Sequence, residues 1–239
     1  MATVASTATS ADTATVLLPS GEGGALDPTP DFIVNTKIHA LTSPPASITI
    51  RLVNKAGVDL TTTVNHNAGA PGFINDSPTG TLARGATGTK IAPTGWAGQI
   101  AFNQASRKIQ NDEGLIEGSF HVQSTITTEF AILDVDVSFV NGYIMPIMCY
   151  CGNSGGAYLS GCAKNLWTLG TCPADLYNQQ GSCRNPMWDN DQIGNHTSIA
   201  FLKPCEDLAY TFVENHAANS NGEYQSGIVT CDILGGFHP

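Results

Sequence analysis

Seven cysteines are the residues of this sequence whose type and spacing most directly suggest chemistry. All of them lie in the second part of the chain, at Cys149, Cys151, Cys162, Cys172, Cys183, Cys205 and Cys231. Zinc sites favour closely spaced pairs of ligands, and only Cys149 and Cys151 are close together. Disulfide bonds are therefore the better interpretation, and disulfides form in oxidising compartments. The sequence predicts a secreted protein with a cross-linked C-terminal part.

The histidines do not show the spacing of a metal site, so we expect exposed or structural roles for them and no metal ion. They are His39, His66, His121, His196, His216 and His238. The sequence also lacks the motifs of nucleotide-binding loops, zinc peptidases, calcium loops and the nucleophile elbow. It therefore predicts no cofactor and no serine or cysteine hydrolase.

Composition indicates a mainly β protein with one main domain. The chain has 239 residues, of which 41% are hydrophobic and only 13% are charged, with 25 glycines and 13 prolines. This is typical of many strands joined by polar turns. A formal net charge of -10 excludes nucleic-acid partners, which require clustered Lys and Arg. Residues 1–18 form no apolar block, so we expect no transmembrane segment there.

Alternation of apolar and polar side chains indicates several strands. They are predicted at 47–53, 60–64, 99–103, 115–123, 127–138 and 227–231. The first two are expected to form a hairpin around Lys55-Ala56-Gly57. The stretch 67–98, rich in Gly and Pro, is either a long loop or several short strands, and short helical turns are expected after Pro173 and from Thr197 or Ser198 to Leu202.

A set of motifs in the second half of the chain resembles the thaumatin-like family. The first combines Thr128-Glu129-Phe130-Ala131-Ile132 with Asp136-Val137-Ser138-Phe139-Val140-Asn141-Gly142-Tyr143-Ile144-Met145-Pro146. It is followed, in the family's order, by Gly161-Cys162-Ala163, Gly170-Thr171-Cys172-Pro173, Gly181-Ser182-Cys183 and the segment from Phe201 to Tyr210. The family's other cysteines are missing, which indicates a reduced, divergent member of microbial or fungal type.

The resemblance implies a fold and a set of disulfides. Residues 1–30 would be a flexible leader, 31–148 a β-sandwich core to which a strand at 227–232 returns, and 149–226 a disulfide-rich region of loops and short helices. An acidic cleft would lie between the last two. The implied disulfides are Cys162–Cys205, Cys172–Cys183, and Cys231 with either Cys149 or Cys151. The odd cysteine would be buried, or would form an intermolecular disulfide in an otherwise monomeric protein.

The resemblance also implies which residues line the cleft. By motif, Glu129 is the predicted catalytic acid and Asp136 the predicted base. Four other cleft positions are predicted to bind substrate: Gln99, Asn141, Glu214 and His216. Hydrolysis of a glycosidic bond usually needs two carboxyl groups, whereas an amide can bind a sugar hydroxyl but cannot exchange a proton at neutral pH. The resemblance thus predicts binding of β-1,3-glucan or a related cell-wall polysaccharide, and leaves weak endo-β-1,3-glucanase activity open.

Sharing one cleft sets a geometric condition on the two carboxylates. Glu129 and Asp136 are an odd number of residues apart, so a regular strand would direct them to opposite faces. A change in alternation between Ile132 and Val135 predicts a β-bulge that would bring them together.

Two alternative functions use the same secreted scaffold. One is a non-catalytic defence, effector or antimicrobial protein that acts on a protein or membrane partner, and the other is a structural protein of the cell wall. Convergent carboxylates in a groove favour a sugar ligand, whereas a large exposed apolar patch favours a protein partner. Three tryptophans could stack on a sugar or simply pack in the core: Trp96, Trp167 and Trp188.

Overall fold

β-strands make up most of the regular structure of this chain. The computed structural model describes residues 45–74, 79–105, 114–124, 129–179, 181–186, 197–218, 222–223 and 227–238. Its strands are β1 (Ser47–Lys55), β2 (Leu60–His66), β3 (Thr79–Leu82), β4 (Thr87–Pro93), β5 (Trp96–Gln104), β6 (Leu115–Ser124), β7 (Glu129–Ser138), β8 (Gly142–Tyr143), β9 (Ile147–Cys151), β10 (Ala157–Cys162), β11 (Cys183–Arg184), β12 (Gly222–Glu223) and β13 (Ile228–Leu234). Helical structure is limited to α1 (Leu166–Leu169) and to 3₁₀ turns at Lys203–Cys205 and His216–Ala218 among the described residues. The prediction of a mainly β protein is confirmed.

Most strands belong to two large sheets. One sheet has six strands in the order β12-β7-β6-β5-β2-β3, and the other has five in the order β10-β9-β13-β1-β4. The pairing of β1 with β13 is parallel, and the other pairings within these sheets are antiparallel. A small third sheet pairs β8 with β11. The C-terminal strand β13 is thus central in the five-stranded sheet.

A single hydrophobic core joins the two large sheets. Its members from the five-stranded sheet include Ile48, Ile50, Leu52, Ile147, Val229 and Ile233, and those from the six-stranded sheet include Ile100, Phe102, Ile116, Phe120, Val135 and Val137. Complete burial of such a side chain stabilises the fold by about 1.5–3 kcal/mol. The period-two burial along β1 is the pattern from which the strand was predicted.

The predicted hairpin between the first two strands is wrong. β1 pairs with β13 and β4, whereas β2 pairs with β3 and β5 in the other sheet. The buried side chain of Asn54 turns the chain out of β1, because its amide donates to the carbonyls of Val58 and Leu82 at 2.8 and 2.9 Å. Its oxygen also accepts the backbone N–H of Ala56 at 3.0 Å. These bonds direct the chain into the second sheet instead of back along β1.

The predicted β-bulge in β7 is also wrong. The ladder between β6 and β7 runs without a break from Leu115 opposite Ser138 to Ser124 opposite Glu129. The inward positions alternate regularly, with the core side chains at Leu133, Val135 and Val137. The irregularity suggested by Ile132 arises because this apolar residue lies on the outer face of the strand, where it is half-buried.

Two other predicted segments are resolved by the structure. The described part of the stretch 67–98 forms several short strands and not one long loop, since it contains β3, β4 and the start of β5. After Pro173 the chain makes one turn, in which the N–H groups of Leu176 and Tyr177 both donate to the Pro173 carbonyl at 3.0 Å. Before Leu202 the chain also makes the expected single turn, in which the N–H groups of Leu202 and Lys203 both donate to the Ile199 carbonyl at 3.0 Å, but the Ser198 hydroxyl does not cap it. The Ser198 hydroxyl is instead bonded to the Thr211 hydroxyl.

Three disulfides cross-link the second half of the chain. They are Cys149–Cys231, Cys162–Cys205 and Cys172–Cys183, as the resemblance implied. Cys149 pairs with Cys231 because the two lie directly opposite each other in the β9–β13 ladder, whereas Cys151 lies opposite Val229. Each closed loop restricts the unfolded chain and typically contributes about 2–4 kcal/mol. Among the described residues, no helix is long and apolar enough to cross a membrane. The predicted leader at 1–30 lies outside the described residues.

Replacing Asn54 with alanine should destabilise the fold by about 3 kcal/mol. The substitution leaves two carbonyls and one N–H of buried backbone without their partner, and each such loss costs about 1–3 kcal/mol. Urea unfolding followed by circular dichroism measures the change. The exposed Asn67→Ala is the matched control and should change stability by less than about 0.5 kcal/mol. Equal, small effects of the two substitutions would contradict the role given to Asn54.

Candidate functional site: a polar row on the six-stranded sheet

Four polar residues form a row across the outer face of the six-stranded sheet. Asn65 of β2 lies opposite Gln99 of β5, Gln99 opposite Glu117 of β6, and Glu117 opposite Asp136 of β7. The adjacent positions of these strands belong to the core: Val64, Ile100, Ile116 and Val137. Because successive side chains alternate between faces, the polar row lies on the face away from the core. Directly opposed side chains have Cβ atoms about 4.5–5.5 Å apart, so neighbouring members of the row can contact one ligand.

Burial increases along this polar row. Asn65 is exposed, Gln99 and Glu117 are half-buried, and Asp136 is only 7% exposed. Beyond Asp136 the outer face is covered, since the next row contains Ala101 at 1%, Leu115 at 0% and Ser138 at 1% exposure. The polar row therefore lies where the open part of this face meets the covered part.

A third carboxylate lies on the other side of the row. The neighbouring row consists of Ala97, Ser119 and Asp134, which are successive partners on β5, β6 and β7. Ala97 and Ser119 are small and leave room above the backbone. Among the described residues, the buried Oδ1 atom of Asp134 has no hydrogen-bond partner. This part of the sheet places a carboxylate oxygen beside two small side chains.

Gly118 sets the backbone distance between the carboxylates of β6 and β7. A Cβ atom on Gly118 would lie 2.2 Å from the carbonyl oxygen of Asp134 and 3.1 Å from Cα of Val135. Real Cβ atoms do not approach a carbonyl so closely, so any larger residue would push the strands apart. Since Gly118 directly follows Glu117, such a shift would disturb the Glu117–Asp136 pair.

Beyond its short pairing with β12, the edge of β7 is completed by two other parts of the chain. The N–H of Val137 donates to the Ser160 hydroxyl of β10 at 3.0 Å. The N–H of Tyr210 donates to the Val137 carbonyl at 2.9 Å, and the N–H of Phe139 donates to the Tyr210 carbonyl at 2.7 Å. These bonds hold β10 and the segment around Tyr210 beside Asp136.

The segment around Tyr210 is itself fixed by buried amides. Asn185 donates to the carbonyls of Phe139 and Thr211 at 3.0 and 2.8 Å. Asn215, which is 1% exposed, donates to the Ala209 carbonyl and to the Thr211 hydroxyl at 3.2 Å each. Both amides serve to hold the loop, and its position beside β7 is rigidly determined.

Glu206 anchors the start of the same loop. Its carboxylate accepts the backbone N–H of Ser198 at 3.1 Å and a charged hydrogen bond from Lys203. Burial opposes ionisation, but the hydrogen bonds from Lys203 and Ser198 outweigh it and hold the pKa of Glu206 below its usual value. Glu206 is thus ionised and structural at neutral pH.

The carboxylates lie close enough to two tyrosines to affect the ionisation of their hydroxyls. Burial raises the pKa of Tyr210 to about 12, and the negative charges of Asp136, Asp134 and Glu117 contribute to the rise. Burial also raises the pKa of Tyr158 to about 12, again with a contribution from Asp136. Both hydroxyls therefore lie within the field of the acidic groups.

The structure places two of the sequence-predicted residues, Gln99 and Asp136, in the polar row. Asn141 lies in the turn before β8, where its carbonyl accepts the N–H of Asn185 at 3.2 Å. Glu214 and His216 lie beyond Tyr210, and the Glu214 carbonyl accepts the N–H of His216 at 2.8 Å. His216 is exposed at the start of its 3₁₀ turn.

Glu129 begins β7, opposite Ser124. Its side chain lies outside the described part of the structure. The backbone lacks the bulge on which a shared cleft with Asp136 depended. Glu129 therefore stays a sequence-based prediction.

Glu117 was missed by the sequence reasoning. It belongs to no linear motif, and only the hairpin register of β6 and β7 brings it opposite Asp136. A usable signal was present, because both strands were predicted and a short connection between them makes antiparallel pairing the default. The exact register depended on where the turn begins.

The described tryptophans are packing residues. Trp96 is 1% exposed. Trp167 packs against Tyr143, Phe201 and Tyr177, and its indole N–H donates to the Ile144 carbonyl at 2.9 Å. Trp188 lies outside the described residues. Within the described ranges, no group of three or more His, Cys, Asp or Glu side chains is arranged to hold a metal ion.

Removing the Asp136 charge should lower the pKa of both Tyr158 and Tyr210. A neighbouring negative charge opposes formation of a phenolate, so Asp136→Asn favours ionisation at lower pH. Absorbance at 295 nm from pH 9 to 13 measures the tyrosine titration. Asp175→Asn, at an exposed loop position, is the control and should leave the curve unchanged. Identical curves for wild type and Asp136→Asn would contradict the proximity of the three groups.

No protein-family model matches the chain, and no curated protein matches it.

Proposed function

We propose that this chain is a secreted, thaumatin-like protein that binds β-1,3-glucan or a related cell-wall polysaccharide along the polar row of Asn65, Gln99, Glu117 and Asp136. The row itself is the observation that carries the proposal. It places amides and carboxylates side by side on a rigid sheet, at the border of a covered region. Sugar sites use such converging polar groups on a preformed surface.

Two features of the fold support the thaumatin-like part of the proposal. Two sheets share one core, as in a β-sandwich, and the disulfide-linked loops lie between β10 and β13 in the sequence. The three disulfides have the pairings that the resemblance implied. Disulfides also support secretion, since they persist in oxidising compartments.

The chemistry of the polar row suits a neutral polysaccharide. Carboxylates accept hydrogen bonds from sugar hydroxyls, and amides both donate and accept them. Hydrogen bonds to an ionised group are stronger than those between neutral groups. The clustered negative charge of Glu117, Asp134 and Asp136 would repel an acidic polysaccharide, which is consistent with an uncharged glucan.

If the protein also hydrolyses the glucan, Glu117 and Asp136 are the proposed catalytic pair. Their direct opposition across the ladder suits a carboxyl separation of about 5–5.5 Å, which is typical of retaining glycosidases. In that case Glu117 is the general acid, in place of Glu129, and Asp136 is the nucleophile. Because Asp136 is only 7% exposed, we place binding ahead of hydrolysis.

A non-catalytic defence or effector protein with a protein partner is the second candidate. Leu208 and Val213, on the loop beside β7, are 36% and 44% exposed, and Tyr158 nearby is 47% exposed. Apolar side chains at the surface favour protein contacts when they form a large patch. A protein of this type would not require the carboxylates of the polar row.

Binding of the purified protein to insoluble β-1,3-glucan tests the proposal. Glu117→Gln and Asp136→Asn should each weaken binding about 5- to 10-fold, because a neutral group replaces a charged acceptor at a cost of roughly 1 kcal/mol. Asp175→Asn is the matched control and should bind like wild type. Cosedimentation isotherms at constant ionic strength provide the dissociation constants. No binding by the folded wild type would reject the glucan proposal and favour the protein-partner candidate.

Release of reducing ends from the same glucan tests hydrolysis separately. If the pair is catalytic, Glu117→Gln and Asp136→Asn should both abolish release, while Glu129→Gln should retain it. Binding without release by wild type would limit the function to recognition. Loss of release in Glu129→Gln alone would return the catalytic role to Glu129.

A further inference from the structure

Tyr158 is held beside the polar row with its ring open to solvent. It is 47% exposed and is the only aromatic residue among the exposed large hydrophobic side chains of the described chain. It lies on β10 opposite Tyr150 of β9, just before the register shift between Tyr158 and Ser160. The ring therefore contributes little to the core, and its exposure needs another explanation.

The hydroxyl group of Tyr158 already has backbone partners. It lies 2.7 Å from the Leu208 carbonyl and 3.1 Å from the Gly161 carbonyl. A phenol has one hydrogen to donate, and these carbonyls satisfy it. The bonds fix the ring while leaving its apolar surface open. A ring that is already ordered loses little conformational freedom when a ligand packs on it.

The position of Tyr158 connects it with the carboxylates. Ser160, on the same strand, accepts the N–H of Val137, the residue that follows Asp136. At this position the Asp136 charge contributes to raising the pKa of the Tyr158 hydroxyl, after the larger effect of burial. An apolar surface thus lies next to the buried end of the polar row.

We propose that Tyr158 is a stacking platform that binds one glucose ring of the glucan next to Asp136. This inference rests on the proposed glucan-binding function. A β-glucopyranose has all its ring substituents in equatorial positions, so its two faces present C–H groups and its hydroxyls lie at the edge. One face can pack on the tyrosine ring while hydroxyls at the edge bond with the carboxylates.

A purely structural role is the competing explanation, in which Tyr158 only holds Leu208 through its hydroxyl. Tyr158→Phe and Tyr158→Ala separate the two roles, because phenylalanine keeps the ring and lacks the hydroxyl. Stacking predicts that alanine weakens glucan binding about 2- to 12-fold, the range of an aromatic contact worth about 0.5–1.5 kcal/mol. It predicts near wild-type binding by Tyr158→Phe. Leu169→Ala, at a 59% exposed position of α1, is the control and should bind like wild type.

The experiment uses the full chain and the cosedimentation assay on insoluble β-1,3-glucan. NMR of a soluble β-1,3-linked glucose oligomer adds a direct readout, because an aromatic face shifts the sugar C–H resonances upfield. We expect that shift with wild type and Tyr158→Phe, and its loss with Tyr158→Ala. Thermal melting shows which variants are folded. If Tyr158→Ala is not folded, binding by Tyr158→Phe and the NMR shift with wild type decide whether Tyr158 stacks on the sugar.

Several results would overturn the stacking role while leaving the glucan-binding proposal intact. They are wild-type binding that persists unchanged in Tyr158→Ala, equal weakening by Phe and Ala, or no upfield shift with wild type. Failure of the wild type to bind glucan at all would instead reject the proposed function on which this inference depends.

Discussion

The register between β6 and β7 is the constraint on which the rest of this site depends. It pairs each residue from Leu115 to Ser124 with one from Ser138 back to Glu129 without interruption. A slip of one residue would exchange the faces of a strand, moving Asp136 into the core and Val137 out of it. Burial of Ile116, Phe120, Val135 and Val137 makes such a slip costly. The hydrophobic core therefore also determines that Glu117 and Asp136 face the solvent side together.

This register comes at an electrostatic cost. Like charges directly opposite each other in a ladder are destabilising, and Glu117 and Asp136 occupy such a pair. Asp134 adds a buried oxygen that has no hydrogen-bond partner among the described residues. A fold under selection for stability alone would not favour this arrangement. In the proposed function, a ligand supplies the hydrogen bond that this Asp134 oxygen lacks.

At β7, segments that are distant in the sequence bond directly to one another. The edge of the strand is satisfied by the Ser160 hydroxyl from β10 and by the backbone of Tyr210. Cys162 and Cys205 link these two segments covalently, and Asn185 bonds the Tyr210 loop to the end of β7. The carboxylates lie on a rigid sheet and the tyrosines on a cross-linked loop and an edge strand. Such a site is largely preformed, which lowers the entropy lost on binding.

The sequence by itself determined the local features of this protein. Period-two alternation located β1, β2, β5, β6 and most of β7, because the face on which a side chain lies depends only on its neighbours along the chain. The clustered cysteines indicated disulfides, and the resemblance indicated their pairing. The partners of β1 and the continuous ladder of β7 were decided by tertiary structure. Tertiary structure also decided that Cys149, and not Cys151, forms the disulfide with Cys231, because Cys149 lies opposite Cys231 in the ladder. Glu117 joined the site for the same reason: cross-strand register is a contact between distant residues, and only packing of the whole core selects it.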